Sequence, residues 1–167
     1  ATHRNSPEDA GYRAFLARLL APLAARLPAG ARGLDYGSGP GPTASAMMRE
    51  RGFAMRDYDP YFAPDEVALL ETYAFVTCTE VVEHMSRPGE AFARLDALLE
   101  PGGAIGVLTG VLEGPRGGLE GGARRGDVAL RERRLRGQGR ELGPEPHGRL
   151  LRPRALERLE LRAQDAR

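Results

Sequence analysis

Three glycines at alternate positions, Gly37, Gly39 and Gly41, form the part of this chain best suited to hold a ligand. They lie in the run Gly-Leu-Asp-Tyr-Gly-Ser-Gly-Pro-Gly at 33–41, where a short apolar strand leads into a turn. Because glycine has no Cβ, a ligand can approach this backbone closely and the chain can adopt positive φ angles. The acidic residue Asp35 lies just before the first glycine. The run therefore predicts a ligand-binding turn between a strand and a helix.

A second carboxylate, that of Asp59, lies at the end of the next predicted strand. An acid at this point can accept hydrogen bonds from both ribose hydroxyls of a nucleoside ligand. The alternative is that Asp59 caps a helix or forms a turn ahead of Pro60. Asp57 competes for the ribose role, but it lies within the strand and is less well placed.

A third group of polar residues, Glu-Val-Val-Glu-His-Met at 80–85, follows another predicted strand. Glu83 and His84 are the candidate general bases for a reaction in which a hydroxyl group must lose a proton. The alternative for His84 is a capping or packing role at the junction between strand and helix.

The elements that must position these residues alternate between strand and helix. Ser6 is the predicted N-cap of a first helix, and Pro22 should kink or end that helix near residues 20–21. The alternation implies a doubly wound α/β fold, a parallel sheet with helices on both faces, whose ligand lies beyond the carboxyl ends of the strands. The predicted strands are 31–36, 53–58, 74–79 and 104–108, and the later helices are 42–51, 65–71 and 88–99.

The run Asp-x-Gly-x-Gly-x-Gly resembles motif I of the class I S-adenosylmethionine-dependent methyltransferases. The rival fingerprint of nicotinamide and flavin sites, G-x-G-x-x-G, would need its third glycine at Pro42. The stretch 80–85 resembles the glutamate–histidine motif of these methyltransferases, and Leu-Glu-Pro-Gly-Gly at 99–103 resembles the turn before their fifth strand. Together with Asp59, these motifs identify residues 6–111 as similar to that family, with a Rossmann-like fold.

The resemblance implies that S-adenosyl-L-methionine binds here and that its methyl group passes to a small-molecule acceptor. It implies no metal, and it needs a base only for an acceptor that loses a proton. Holding the reactants in line can supply roughly 7–11 kcal/mol of such a barrier. The residues implied to bind the donor are Asp35, Tyr36, Gly37, Ser38, Gly39, Gly41, Asp59, Thr79 and Glu80.

Two parts of the family's pattern are missing from the sequence. Only a short helix fits between Asp59 and Phe75, so we expect the sheet to lack its usual third strand, and the adenine pocket stays unassigned. The family's further helix and two strands after the fifth strand are not recognisable beyond Val111, so we expect C-terminal strands to be missing. A domain that binds the donor but is catalytically defective is therefore the alternative function.

Charge and aromatic residues divide the 167 residues into two parts. Residues 1–111 contain 10 Arg and 14 acids and hold every Phe and Tyr, whereas residues 112–167 contain 14 Arg and 9 acids. The second part has little with which to build a core. We interpret residues 1–111 as the donor-binding domain. Residues 112–167 are an Arg/Gly-rich segment that is disordered or the product of a shifted reading frame, with a short helix predicted at 153–162.

Composition also excludes several classes of protein. The single Cys78 excludes a disulfide framework and a cysteine-rich zinc site. The chain has no apolar run long enough for a membrane span and no signal-peptide pattern, which predicts a soluble, cytoplasmic protein. It does not begin with Met, which indicates a fragment or a processed start. Interspersed acids and the absence of aromatic residues in the basic segment argue against a nucleic-acid partner.

Overall fold

The computed structural model describes residues 6–111 and 125–133. The helices are α1 (Ala10–Ala24), α2 (Thr43–Arg49) and α3 (Pro88–Ala97), with 3₁₀ turns at Glu66–Leu69 and Val82–His84. The strands are β1 (Arg32–Tyr36), β2 (Ala54–Tyr58), β3 (Tyr73–Thr79), β4 (Leu99–Val111) and β5 (Arg125–Glu132). They form one sheet in the order β2-β1-β3-β4-β5, in which only β5 is antiparallel to its neighbour.

The core forms two layers, one on each face of the sheet. Along β3, the buried Phe75 packs in the layer that contains α1 and α2, and the next residue, Val76, packs in the layer that contains α3. This alternation follows from the period of two in a strand. Met47 and Met48 of α2 are buried in the first layer. The α/β, doubly wound, mainly parallel fold is therefore confirmed.

Helix α1 differs from the prediction at both ends. Its N-cap is Asp9, whose side chain accepts a hydrogen bond from the backbone N–H of Tyr12 at 3.0 Å. Ser6 instead lies in the preceding turn, where its carbonyl accepts from the N–H of Asp9 at 3.0 Å. Pro22 lies inside the helix, which continues to Ala24. Burial of leucines on both sides of Pro22 stabilises the last turn against the hydrogen bond that proline removes.

One end of the sheet agrees with the prediction from the sequence, and the other end does not. Between β2 and β3 the structure describes every residue and contains no further strand, as predicted. At the other end β5 pairs with β4 over eight residues, which corrects the expectation that the C-terminal strands are missing. This strand needs only backbone pairing and an apolar contact from Leu130, which packs against the core layer of α1 and α2. The low apolar content averaged over residues 112–167 concealed that short stretch.

The division of the chain at residue 111 stays a prediction, although residues 125–133 belong to the sheet. The short helix predicted at 153–162 lies outside the described residues. Within the described residues, no helix is both long and apolar enough to cross a membrane.

Gly33 of β1 lies where the sheet and the core are in closest contact. A Cβ at this position would lie 2.2 Å from Cζ of the Phe75 ring. That ring is fully buried and packs edge-on against Phe53 at 5.6 Å between centroids, so it has no room to move away. We expect Gly33→Ala to lower the free energy of unfolding by about 2 kcal/mol, measured by urea denaturation.

The control for this substitution is Gly89→Ala in α3, where a new Cβ meets nothing within 4 Å. Alanine favours a helix over glycine, so this variant should be as stable as the parent or slightly more stable. Equal unfolding midpoints for the two variants would contradict the packing account of Gly33.

Candidate functional site

A cavity of about 490 Å³ lies at the carboxyl ends of β1, β2 and β3. The chain passes from β1 to β2 on one side and β3 lies on the other, so the cavity is at the point where the strand order reverses. Its volume is typical of a pocket for a small molecule. The predicted residues that line it are Asp35, Tyr36, Gly37, Ser38, Gly39, Gly41, Asp59, Thr79, Glu80 and His84.

The glycines of the turn have different roles. Gly37 and Gly39 both have positive φ, +79° and +64°. A Cβ on Gly37 would lie 2.3 Å from Cγ2 of Val81, whereas a Cβ on Gly39 would meet nothing within 4 Å. The turn is fixed to β2, because the N–H groups of Gly37 and Ser38 both donate to the carbonyl of Tyr58, at 2.7 and 3.1 Å. Glycine is therefore needed at position 37 so that the turn can pack against Val81, and at position 39 it leaves the backbone accessible from the cavity.

Asp59 connects this turn to the loop after β2. Its Oδ2 accepts from the N–H of Gly39 at 3.0 Å, and its Oδ1 accepts from the N–H groups of Tyr61 and Phe62 at 2.9 and 3.1 Å. The structure thus shows the turn-forming role that the sequence left as an alternative. The ribose role stays a prediction, and it is compatible with these bonds because each carboxylate oxygen accepts more than one hydrogen bond.

Asp57, the competing carboxylate, is not among the residues that line the cavity. Its oxygens accept hydrogen bonds from the hydroxyl of Ser45 and, at 2.7 Å, from Nη2 of Arg49. These contacts hold α2 against β2, so Asp57 has a structural role and Asp59 is the carboxylate available to a ligand.

Asp35 is almost completely buried beneath the turn. Its Oδ1 accepts a hydrogen bond from the hydroxyl of Thr77 at 2.8 Å. Burial raises the pKa of the Asp35 carboxyl to about 7, and the hydrogen bond from Thr77 opposes that rise. A buried carboxyl with a pKa near neutrality gains its charge readily when a cation binds beside it.

Ser38 supplies a polar atom that the protein leaves unsatisfied. Its Oγ is buried and has no hydrogen-bond partner among the described residues, although the side chain lines the cavity. An unmade hydrogen bond of a buried hydroxyl costs about 1–3 kcal/mol. A polar ligand in the cavity could remove that cost, so this atom fits the use of the cavity as a binding site.

The two candidate bases are separated by the structure. His84 lines the cavity, whereas Glu83 is not among the lining residues. The carboxylate of Glu83 accepts from the hydroxyl of Thr109 at 2.9 Å, which holds it toward the end of β4. The N–H of His84 donates to the carbonyl of Val81 at 3.0 Å, so the residue also has the junction role considered for it. A catalytic role stays a prediction for both residues.

Tyr12 of α1 also lines the cavity, and the sequence analysis missed it. Burial and, to a smaller extent, the carboxylates of Glu80 and Asp35 raise the pKa of its phenol to about 12. The phenol therefore stays protonated near neutral pH and can donate a hydrogen bond. Tyr12 follows the helical spacing of the apolar residues of α1, and nothing in the sequence distinguishes it from a core residue. The other lining residues that were missed are Thr43, Ala44, Pro60, Tyr61, Val81 and Met85.

Comparison with known protein families assigns the chain to one of them. The model of the family described as "Methyltransferase domain" matches residues 9–163. The chain belongs to this family. The resemblance predicted from the glycine turn is therefore confirmed, and the match extends beyond residue 111, where we had ended it. No curated protein matches this methyltransferase domain.

Solved structures of methyltransferases resemble this methyltransferase domain in fold. One is the 1,6-didemethyltoxoflavin N1-methyltransferase of Burkholderia thailandensis, with bound 1,6-didemethyltoxoflavin and S-adenosylhomocysteine. It is 20% identical with a TM-score of 0.51, and the match covers 74% of this chain and 63% of that one. Another is phosphoethanolamine N-methyltransferase 2 of Haemonchus contortus in complex with S-adenosyl-L-methionine, 21% identical with a TM-score of 0.47 over 65% of this chain. The match spans only 31% of that second chain.

Proposed function

We propose that this methyltransferase domain binds S-adenosylmethionine in the cavity and transfers its methyl group to a small-molecule acceptor. The observation that carries the proposal is the hydrogen bond between Asp59 and the N–H of Gly39, 3.0 Å long. It holds together, at one wall of one cavity, the two elements that the sequence had assigned to the donor. The cytoplasmic location stays a prediction from the sequence.

The residues of the cavity fit such a donor. Gly39 leaves space for close approach, and the buried Oγ of Ser38, which has no hydrogen-bond partner in the described part of the chain, can bond to a polar ligand. Asp59 offers acceptors for ribose hydroxyls, and Asp35 offers a buried carboxylate for a positively charged group. When bound, S-adenosylmethionine supplies a methyl group on a sulfonium that is already a good leaving group.

The reaction then depends mainly on how the two reactants are positioned. The protein must hold the acceptor atom in line with the methyl carbon and limit the water around it. His84 lines the cavity, which supports a role as the base for an acceptor that loses a proton.

A second candidate function is donor binding without catalysis. It is favoured by the position of Glu83, which bonds to Thr109 and is absent from the cavity lining. This candidate predicts donor binding with no methylated product from any acceptor.

Calorimetric titration with S-adenosylmethionine tests the proposed site, with Gly39→Ala as the variant. Gly39 has positive φ and lines the cavity, so an added methyl group would occupy space needed by the donor. We expect binding of the parent chain and at least a tenfold loss of affinity in the variant, about 1.4 kcal/mol.

The matched control is Gly102→Ala. Gly102 also has positive φ, +83°, and also has nothing within 4 Å of a new Cβ, but it does not line the cavity. Both variants therefore carry a similar backbone strain of roughly 1–2 kcal/mol. A folded parent chain that shows no heat of binding would refute the proposed function, and equal losses of affinity in the two variants would refute the role of Gly39.

A further inference from the structure

We propose that the methyl acceptor is a small amine that enters the site as a cation, selected by the carboxylates of Glu80 and Glu83. This inference rests on the proposed function and names the class of acceptor.

Carboxylates at the cavity lack the arginine partners that five described carboxylates elsewhere have. Outside the cavity, Glu50, Asp57, Asp65, Glu71 and Glu90 each form an ion pair with an arginine. Among the described residues, no arginine pairs with any of the four carboxylates in or beside the cavity, and no arginine lines it. Those four carboxylates are Asp35, Asp59, Glu80 and Glu83. Such a site favours ligands with positive charge.

Three of these carboxylates, Asp35, Asp59 and Glu80, line the cavity, and Glu83 lies three residues after Glu80, beside the lining. Asp35 and Asp59 belong to β1 and the end of β2, beside the glycine turn. Glu80 and Glu83 follow β3, on the side away from β2. Since the glycine turn and Asp59 form the proposed donor end, the end after β3 is left for the acceptor.

Both glutamates of the acceptor end are held in place. Glu80 has a positive φ of 56°, unusual for a residue other than glycine, and its N–H donates to the carbonyl of Leu108 at 2.7 Å. Glu83 is bonded to Thr109 one position further along β4. Tyr12 of α1 lines the same cavity as Glu80, and its phenol can donate a hydrogen bond there. The acceptor end thus combines two fixed negative charges with one neutral donor.

The positive charge of the methyl donor does not neutralise the carboxylates of the acceptor end. S-adenosylmethionine carries a sulfonium, an ammonium and a carboxylate, and so has a net charge of about +1 near neutral pH. That charge is offset by the carboxylates of the donor end. A cationic acceptor would satisfy Glu80 and Glu83, whereas a carboxylate or phosphate acceptor would be repelled by them.

Methyl transfer to an amine takes two steps. The bound ammonium first loses one proton to a carboxylate of the acceptor end or to water. The nitrogen lone pair then forms the new bond to the methyl carbon, and the electron pair of the breaking carbon–sulfur bond stays on sulfur. The products are an N-methylated ammonium and the neutral thioether S-adenosylhomocysteine.

Three probes with one carbon skeleton test the inference: 2-phenylethylamine, 2-phenylethanol and phenylacetate. Their dissociation constants would be measured by ligand-detected NMR on the full chain loaded with S-adenosylhomocysteine. We expect the amine to bind about tenfold more tightly than phenylacetate, with the alcohol between them. In the double variant Glu80→Gln, Glu83→Gln the preference should fall below about threefold.

Glu50→Gln is the control for the loss of a charge, because Glu50 is exposed, pairs with Arg13 and does not line the cavity. It should keep the preference of the parent chain. Equal affinities, a preference for phenylacetate, or no binding of the amine to the parent chain would overturn the inference without any variant. Titration of the same chain with S-adenosylmethionine, before S-adenosylhomocysteine is added, reports separately on the proposed function.

Discussion

Replacing Asp35 with asparagine should stabilise the methyltransferase domain, and the gain should grow as the pH rises from 5 to 8. Asp35 is almost completely buried, and burial raises the pKa of its carboxyl to about 7. In the unfolded chain the same group has a pKa of about 3.9. Between these two values the folded state holds a proton that the unfolded state has released, so stability falls as the pH rises through this window and levels off above it.

Asparagine has no charge to lose and can still accept the hydrogen bond from the hydroxyl of Thr77, which lies 2.8 Å from Oδ1 of Asp35. The difference in free energy of unfolding between variant and parent should therefore increase by about 2–3 kcal/mol between pH 5 and pH 8. Urea denaturation at the two pH values measures it. The same variant should bind S-adenosylmethionine at least tenfold more weakly, about 1.4 kcal/mol, because the buried carboxylate is lost.

Asp65→Asn is the control, because the pKa of the Asp65 carboxyl is lowered by the fold, whereas that of Asp35 is raised. Asp65 accepts hydrogen bonds from Arg56, and these lower the pKa of its carboxyl. Its contribution to stability is lost only as the pH falls below about 4, the pKa of the unfolded chain, so the difference between Asp65→Asn and the parent should not change between pH 5 and pH 8. If Asp35→Asn showed the same difference in stability at both pH values, the raised pKa of Asp35 would be disproved.

Replacing Asp59 with alanine should both destabilise the fold and abolish donor binding. The carboxylate accepts hydrogen bonds from the N–H groups of Gly39, Tyr61 and Phe62, and all three donors lose their acceptor in the variant. A hydrogen bond to a charged group contributes about 1.5–3 kcal/mol, so a loss of about 3 kcal/mol in the free energy of unfolding is expected after water compensates in part. Denaturation and calorimetric titration measure the two effects on the same samples.

Asp65→Ala separates the two effects of Asp59→Ala. Asp65 also caps a short element, accepting from the N–H of Val67 at 3.1 Å, but it is not among the residues that line the cavity. This control should lose stability and keep its affinity for S-adenosylmethionine. Undiminished donor binding by a folded Asp59→Ala variant would show that Asp59 only shapes the turn.

The parts of the site that could be predicted are those that depend on residue type at a fixed place after a strand. Glycines at 37, 39 and 41 and acids at 35 and 59 satisfy local requirements of a turn that approaches a ligand, and the order of strands brings them to one edge. The positions of β1, β2 and β3 followed from apolar runs between breakers, whereas β4 begins at Leu99, within the stretch 99–103 that the sequence predicted as a turn. Glu80 and His84, which follow β3, likewise line the cavity.

The parts that could not be predicted depend on contacts between distant segments. Tyr12 reaches the cavity because α1 packs across the sheet, and its sequence position shows only that it lies on the apolar side of a helix. Glu83 turns toward Thr109, a partner 26 residues away that no local pattern identifies. Strand β5 was missed because its pairing with β4 uses backbone groups, which composition does not record.

Strand β2 lies at the outer edge of the described sheet, and this position affects how easily it unfolds locally. In the sheet that the structure describes, β2 pairs with β1 alone, and Asp59 follows its last residue. Local unfolding of an outer strand costs less free energy than unfolding of a central one, so the backbone amides of β2 should exchange their hydrogens for deuterium sooner than those of β1. A donor that bridges Asp59 and the glycine turn should slow that exchange, so part of the binding free energy will be spent on holding this outer strand against the sheet.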